Sequence, residues 1–253
     1  MRLRRMAAGV IAAGMMVSLS GCGSSTGSSS GDAAALTQAN FSRTVTSAQQ
    51  AAKSAHFVAS IKAAGHSISM AGDASGFGDL ASAAMDLNVK ASGKSIEMRL
   101  VHKVLFLHGA GMPAPAGKSW VKVDLNDANN PLSKILDTAG PRSMLTYLRS
   151  VTSLDDKGTQ TVDGVQAHHY SVTIDTAKAL ASNPAFKGQD LSKLGMPKTL
   201  HTDVWLDSDN RPVKMTVVIG TLLSLEVHVS KYGEPVAVHA PPAAEVGTFS
   251  LGG

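Results

Sequence analysis

The chain has 253 residues, 43% of them hydrophobic but only 4% aromatic, with one cysteine and a formal charge of +4. A lone cysteine excludes an intrachain disulfide, so the fold rests on its core, which a chain of this length can supply as one domain. Three of the basic residues, Arg2, Arg4 and Arg5, stand in the first five positions. A nucleic-acid binder would instead keep a basic patch with interleaved aromatics in its folded part, so that class is set aside.

Residues 1–21 have the pattern of a lipoprotein signal peptide. The arginines form a basic n-region, Met6 to Val17 is an apolar and small-residue run, and Leu19-Ser20-Gly21-Cys22 follows at lipobox spacing. The run is too short to span a bilayer. Arg4-Arg5 does not extend into a twin-arginine signal, which leaves the general secretory route. Cleavage before Cys22 removes three arginines and lowers the formal charge from +4 to +1. Cys22 is then the lipidated N-terminus, holding the protein on the extracytoplasmic face of the cell membrane. Residues 22–32 continue as a Gly/Ser tether with a reach on the order of 20 Å.

From Ala33 to Ala55 the apolar residues Leu36, Phe41, Val45, Ala48, Ala52 and Ala55 recur at near-helical spacing, with Thr37 or Asn40 as the cap. This predicts one amphipathic helix with its stripe turned toward a sheet. Strands with period-two alternation follow. His56–Ala63 and His66–Gly72 make a hairpin broken at Gly65, and Ala84–Lys90 and Ser95–Leu100 are joined by a turn at Ser92-Gly93-Lys94. Lys103–His108 and Trp120–Leu125 continue the series. Pro131–Ala139 and Arg142–Ser150 are predicted helices that start with Pro at or beside the first turn. The strands resume with Ser153–Thr161 and Gln166–Asp175 around Asp163-Gly164. After a short helical piece, Thr176–Ala181, and an irregular connection, Asn183–Pro197, come Thr202–Asp207, Pro212–Gly220 and Leu223–Ser230. Residues 33–244 make one folded domain on this reading, and 245–253 a flexible tail.

The predicted class is α+β: an antiparallel sheet of ten or eleven strands with one wet face and one apolar face, the latter needing cover. Alternation assigns to the apolar face Phe57, Ile61, Ile68, Met70, Met85, Leu87, Val89, Ile96, Met98, Leu100, Tyr170, Val172, Ile174, Val213, Met215, Val217 and Ile219. Such a face either is an ordinary core or lines a ligand cavity.

No catalytic or metal constellation emerges. There is no Gly-x-Ser-x-Gly elbow, so His108-Gly109-Ala110-Gly111 has no nucleophile to serve as an oxyanion loop and is a turn. His168 and His169 are strand neighbours and point to opposite faces, so the pair cannot chelate one ion. Glu97 and Arg99 share the wet face. No phosphate-binding glycine loop precedes a helix. The chain is expected to be no enzyme and to carry no cofactor or metal.

Several features together resemble one family. They are the lipobox, the linker, Ala55-His56-Phe57, Gly72-Asp73, Trp120, Val162-Asp163-Gly164, Val204-Trp205-Leu206-Asp207, Arg211-Pro212-Val213 and Ser230-Lys231-Tyr232-Gly233-Glu234-Pro235-Val236. From about Ala33 to Ala244 the chain is similar to the LppX/LprA/LprF/LprG lipoproteins of mycobacteria and other actinobacteria. The resemblance implies an unclosed, curved antiparallel half-barrel with helices over its concave face, like LolA and LolB. It further implies an apolar cavity for acylated lipids or glycolipids, transport of them in the envelope, and no catalytic residues. The expected partners are the lipid, the membrane through the anchor, and a lipid exporter or envelope acceptor, with the protein itself a monomer and no nucleic acid involved. The alternative is a non-transporting scaffold or sensor with a filled core.

Overall fold

The computed structural model describes residues 36–63, 65–77, 81–112, 114–126, 147, 149–181, 188–193 and 195–248. They fall within a compact unit running from Ala35 to Gly253. The strands are β1 (Ser54–Ala63), β2 (His66–Ser75), β3 (Ala84–Ala91), β4 (Lys94–Val101), β5 (Val104–Gly109), β6 (Trp120–Asp124), β7 (Val151–Val162), β8 (Val165–Asp175), β9 (Thr199–Leu206), β10 (Pro212–Ile219), β11 (Leu223–Ser230) and β12 (Val246–Thr248). They form a single sheet in the order β12-β6-β5-β4-β3-β2-β1-β11-β10-β9-β8-β7, which does not close on itself. The fold is thus the α+β antiparallel sheet that alternation predicts, unclosed as in the half-barrel that the family resemblance implies.

Two meanders build this sheet, and both owe their pairing to local turns. The loops at Ser92-Gly93, His102-Lys103 and Asp163-Gly164 have positive φ at both residues (50° and 75°, 50° and 62°, 50° and 82°). Two-residue loops of this conformation twist in the same sense as the strands they join, so each sets the register of its hairpin. The meanders meet where β1 pairs antiparallel with β11, from His56 opposite Ser230 to Ala63 opposite Leu223.

Helix α1 (Gln38–Ala52) begins where the side chain of Asn40 accepts a hydrogen bond of 2.7 Å from the Thr37 N–H. That contact satisfies a donor the helix itself leaves orphaned. The helix is shorter than its periodicity suggests: Lys53 turns out of it with φ 65°, and Ala55 already belongs to β1. Phe41 and Val45, 0% and 2% exposed, project from α1 onto Tyr170, Val172, Ile174, Leu200, Val204, Leu206, Val217 and Ile219 of β8, β9 and β10. Burying two such side chains contributes about 1.5–3 kcal/mol each, which seats the helix over that end of the sheet. A second cluster, Leu100, Leu105, Val123 and Leu125, fills the end made by β4, β5 and β6.

The predicted helix Pro131–Ala139 lies outside the described residues, as does most of Arg142–Ser150, of which Tyr147 and Arg149 are seen to be helical. Thr176–Leu180 forms the short helix α2, its first turn capped by Asp175, which accepts from the Lys178 N–H at 2.9 Å.

One strand was not foreseen. Residues 246–248, expected within a flexible tail, pair with β6 in parallel, Val246 opposite Trp120, and make the sheet twelve-stranded. The segment between β11 and β12 is a strap anchored along its length. Tyr232 donates to the Pro212 carbonyl (2.6 Å), Ser54 Oγ to that of Glu234 (2.6 Å), and Lys118 Nζ to that of Ala244 (2.7 Å).

Candidate functional site

Cross-strand partners in a sheet share a face, so the register decides which residues are brought together. Starting from β6, Val123 opposes Leu105, Leu105 opposes Leu100, and Leu100 opposes Met85. In the same way Met98 meets Leu87, Ile96 meets Val89, and Val89 meets Met70. The path crosses to β1 through Met70–Ala59 and Ile68–Ile61, and through Phe57–Gly72. It passes the seam by Ile61–Leu225, then runs through Leu225–Val217, Val227–Met215 and Leu223–Ile219. It ends through Met215–Val204, Val204–Tyr170, Thr202–Val172 and Leu200–Ile174. Val213 lies where the β9–β10 register shifts, and alternation along β10 keeps it on this side. All seventeen residues picked out by alternation therefore stand on one face of one sheet.

That face is not evenly filled. Tyr170, Val172, Ile174, Val213, Val217 and Ile219 at one end, and Leu100 at the other, are buried. In the middle, Phe57, Ile61, Ile68, Met70, Leu87, Val89 and Ile96 are only half-buried and belong to neither packed cluster. The middle strands thus carry a continuous apolar strip between two filled ends.

Polar groups on this side gather at the β8 end. Tyr147 places its hydroxyl 2.6 Å from Thr202 Oγ1, a group only 1% exposed. Burial pushes the Tyr147 phenol above the ordinary tyrosine range, against the opposing pull of the Thr202 hydrogen bond. His168 stacks on Tyr170 (centroids 4.8 Å apart, 18°) and its Nε2 lies 2.6 Å from Asp156 Oδ1.

The opposite face is polar. His169 turns to it, away from His168, and stacks on Trp205 at 4.3 Å while Nε2 contacts Asp203 at 2.9 Å. Trp205 donates from Nε1 to Gln160 (2.9 Å) and takes Lys214 over its ring at 5.5 Å. The guanidinium of Arg99 covers Trp120 at 4.8 Å and bridges Glu97 (2.5 Å) and Asp86 (3.3 Å). Burial raises the Asp86 carboxyl above its ordinary value more than Arg99 lowers it. Both tryptophans thus serve the polar side rather than the apolar strip. Among the described residues no group of three or more His, Cys, Asp or Glu is placed to hold a metal ion. Cys22 lies outside the described residues.

A sheet of this kind, unclosed and apolar on one side, is an open antiparallel half-barrel. Among solved structures the chain is similar to the crystal structure of the lipoprotein LppX from Mycobacterium tuberculosis, with a TM-score of 0.56, 17% identity, and coverage of 80% of this chain and 98% of that one. It is also similar to that of LprF from Mycobacterium bovis, with a TM-score of 0.52, 16% identity, and coverage of 81% and 96%. At such identities what is shared is the fold, and the family resemblance carried by the sequence is supported at that level. No family model matches the chain, and no curated protein matches it by sequence.

Proposed function

We propose that this protein is a membrane-anchored carrier that binds acylated lipids or glycolipids against its apolar face and moves them within the cell envelope. The observation that carries the proposal is the half-buried strip on β1–β4, which neither packed end fills. Each methylene taken from water contributes about 0.8 kcal/mol, so covering such a strip with acyl chains supplies affinity without a dedicated hydrogen bond. The seventeen apolar-face residues are the lining on this reading, and the exposed polar pair His168 and Asp156 at the β8 end is where a head group meets the protein. Cys22, once acylated, keeps the domain within tether reach of the leaflet that supplies the ligand and raises its local concentration. An exporter or an envelope acceptor takes the lipid beyond that reach.

Two measurements test the proposal. Organic extraction and mass spectrometry of the full chain carrying Cys22→Ala should release acyl lipid. Leu87→Trp or Val89→Trp should abolish that lipid while leaving the unfolding midpoint in place. A lipid-free protein in which the same substitutions cost about 1–3 kcal/mol by overpacking would identify the strip as filled core and favour the scaffold role.

A further inference from the structure

A second pocket lies away from the apolar strip, beneath the tip of the β7–β8 hairpin. It has a volume of about 550 Å³ and is lined by residues from the hairpin tip, β1, the β9–β10 turn, and the end of β11 with the segment after it. That volume falls within the range of about 300–1,000 Å³ typical of small-molecule sites.

Two features of its lining bear on what it can hold. The first is apolar. Along β1 the residues on the polar side of the sheet are His56, Val58, Ser60 and Lys62, so Val58 alone breaks the polar series. It faces the pocket together with Val162 and Val165, and both Val58 and Val165 are left substantially exposed, at 46% and 41%. The second is charge. Of the charged groups in the lining, Asp163 is engaged by His228, and Asp207 by Arg211, whose guanidinium also bonds Asp209 and covers Tyr232. Lys231 has no ion-pair partner among the described residues. A concave apolar site with one uncompensated ammonium is complementary to an amphiphile bearing a single negative charge.

We propose that this pocket is a second binding site, taking a free single-chain carboxylate whose alkyl tail packs on Val58, Val162 and Val165 and whose head group pairs with Lys231. The site opens on the polar side of the sheet and shares only Val213 with the seventeen apolar-face residues, and the carrier proposal does not depend on it.

The test is calorimetric titration of the full chain carrying Cys22→Ala with octanoate, decanoate and octanol. Decanoate should bind about fifteenfold more tightly than octanoate, since each methylene is worth about fourfold. Octanol should bind about threefold more weakly than octanoate, the difference expected of an exposed ion pair, and Lys231→Ala should erase that preference. Val58→Trp and Val165→Trp, both on exposed side chains, should fill the pocket and remove binding, whereas Leu87→Trp on the apolar strip should leave it unchanged. Absence of binding to the unsubstituted pocket overturns the proposal. So does a decanoate site that survives both valine substitutions and disappears with Leu87→Trp, a result that would leave the carrier reading standing.

Discussion

His228 Nδ1 lies 2.5 Å from Asp163 Oδ2, which fastens the tip of the β7–β8 hairpin to β11, two strands beyond the one β8 pairs with. The other ring nitrogen, Nε2, is 2.7 Å from Glu226 Oε1, and Lys214 reaches the same carboxylate at 3.3 Å. With a carboxylate at each nitrogen, both must donate, so the arrangement requires the imidazolium form.

The clasp should therefore be pH-dependent. The bonds to Glu226 and Asp163 raise the His228 pKa above its ordinary 6.5. Its contribution is complete below 6.5 and is lost as pH rises through the raised value. The His228 bond lowers the Glu226 pKa below its ordinary 4.5, and that contribution is complete above 4.5 and lost as pH falls through the lowered value. The hairpin tip should be held best between about pH 4.5 and 6.5. The protection factors of the Val162–Val165 amides, exchange divided into its intrinsic base-catalysed rate, should be greatest in that window and smaller at pH 8, and Asp163→Asn should flatten the alkaline limb. Protection factors that do not change between pH 6 and 8 would contradict it.

Gly72 should tolerate no side chain. It stands mid-strand in β2, and a Cβ built there would lie 2.0 Å from the Asp86 carbonyl oxygen and 2.8 Å from Leu87 Cα on β3. Both are backbone atoms, so the strands must part to admit it. Gly72→Ala should cost about 1–3 kcal/mol in urea unfolding, in the range of overpacked cores. A midpoint unchanged from the parent would show that β2 and β3 yield freely.

Tyr147→Phe should be costlier than the loss of one hydrogen bond suggests, because it strands the buried Thr202 hydroxyl. An unsatisfied buried group costs about 1–3 kcal/mol. Adding Thr202→Val should restore much of that loss, and a double-mutant cycle by chemical denaturation would measure the coupling. Strictly additive effects would dissociate the two hydroxyls.

The β4–β5 turn can be improved. His102 and Lys103 both hold positive φ, 50° and 62°, without a glycine between them. His102→Asn with Lys103→Gly supplies the residues this turn prefers and should raise stability by about 0.5–1 kcal/mol, the relief of left-handed strain less the added freedom of the unfolded glycine. A lower thermal midpoint would mean that the two side chains make compensating contacts.

Much of this sheet was legible in the sequence because its pairings are local. From β1 to β6 and from β7 to β11 each strand lies beside the next, so alternation and turn residues fix the register without long-range information. Gly72 was placed at a strand end, as glycine often is, when a close approach of backbones keeps it in the strand. The seating of α1 on β8–β10 was illegible, since Phe41 and Val45 announce an apolar stripe but not which strands receive it. β12 has only three residues and follows Pro241-Pro242; what holds it is Lys118 and Ser119, more than a hundred residues earlier. The hairpin pocket left one trace, Val58 among polar neighbours, which gains meaning only when the fold brings Val162 and Val165 to it.

The seam between β1 and β11 also governs how the molecule can come into being. Residues 54–63 find their partner at 223–230, so the central ladder closes a loop of more than 150 residues. Contacts so distant along the chain slow folding, because the entropy of closure is spent before the contact is gained. A chain emerging N-terminus first can build the first meander early, but β1 remains an unpaired edge until nearly the whole polypeptide is present. That delay makes β1 the strand most in need of protection while the rest arrives.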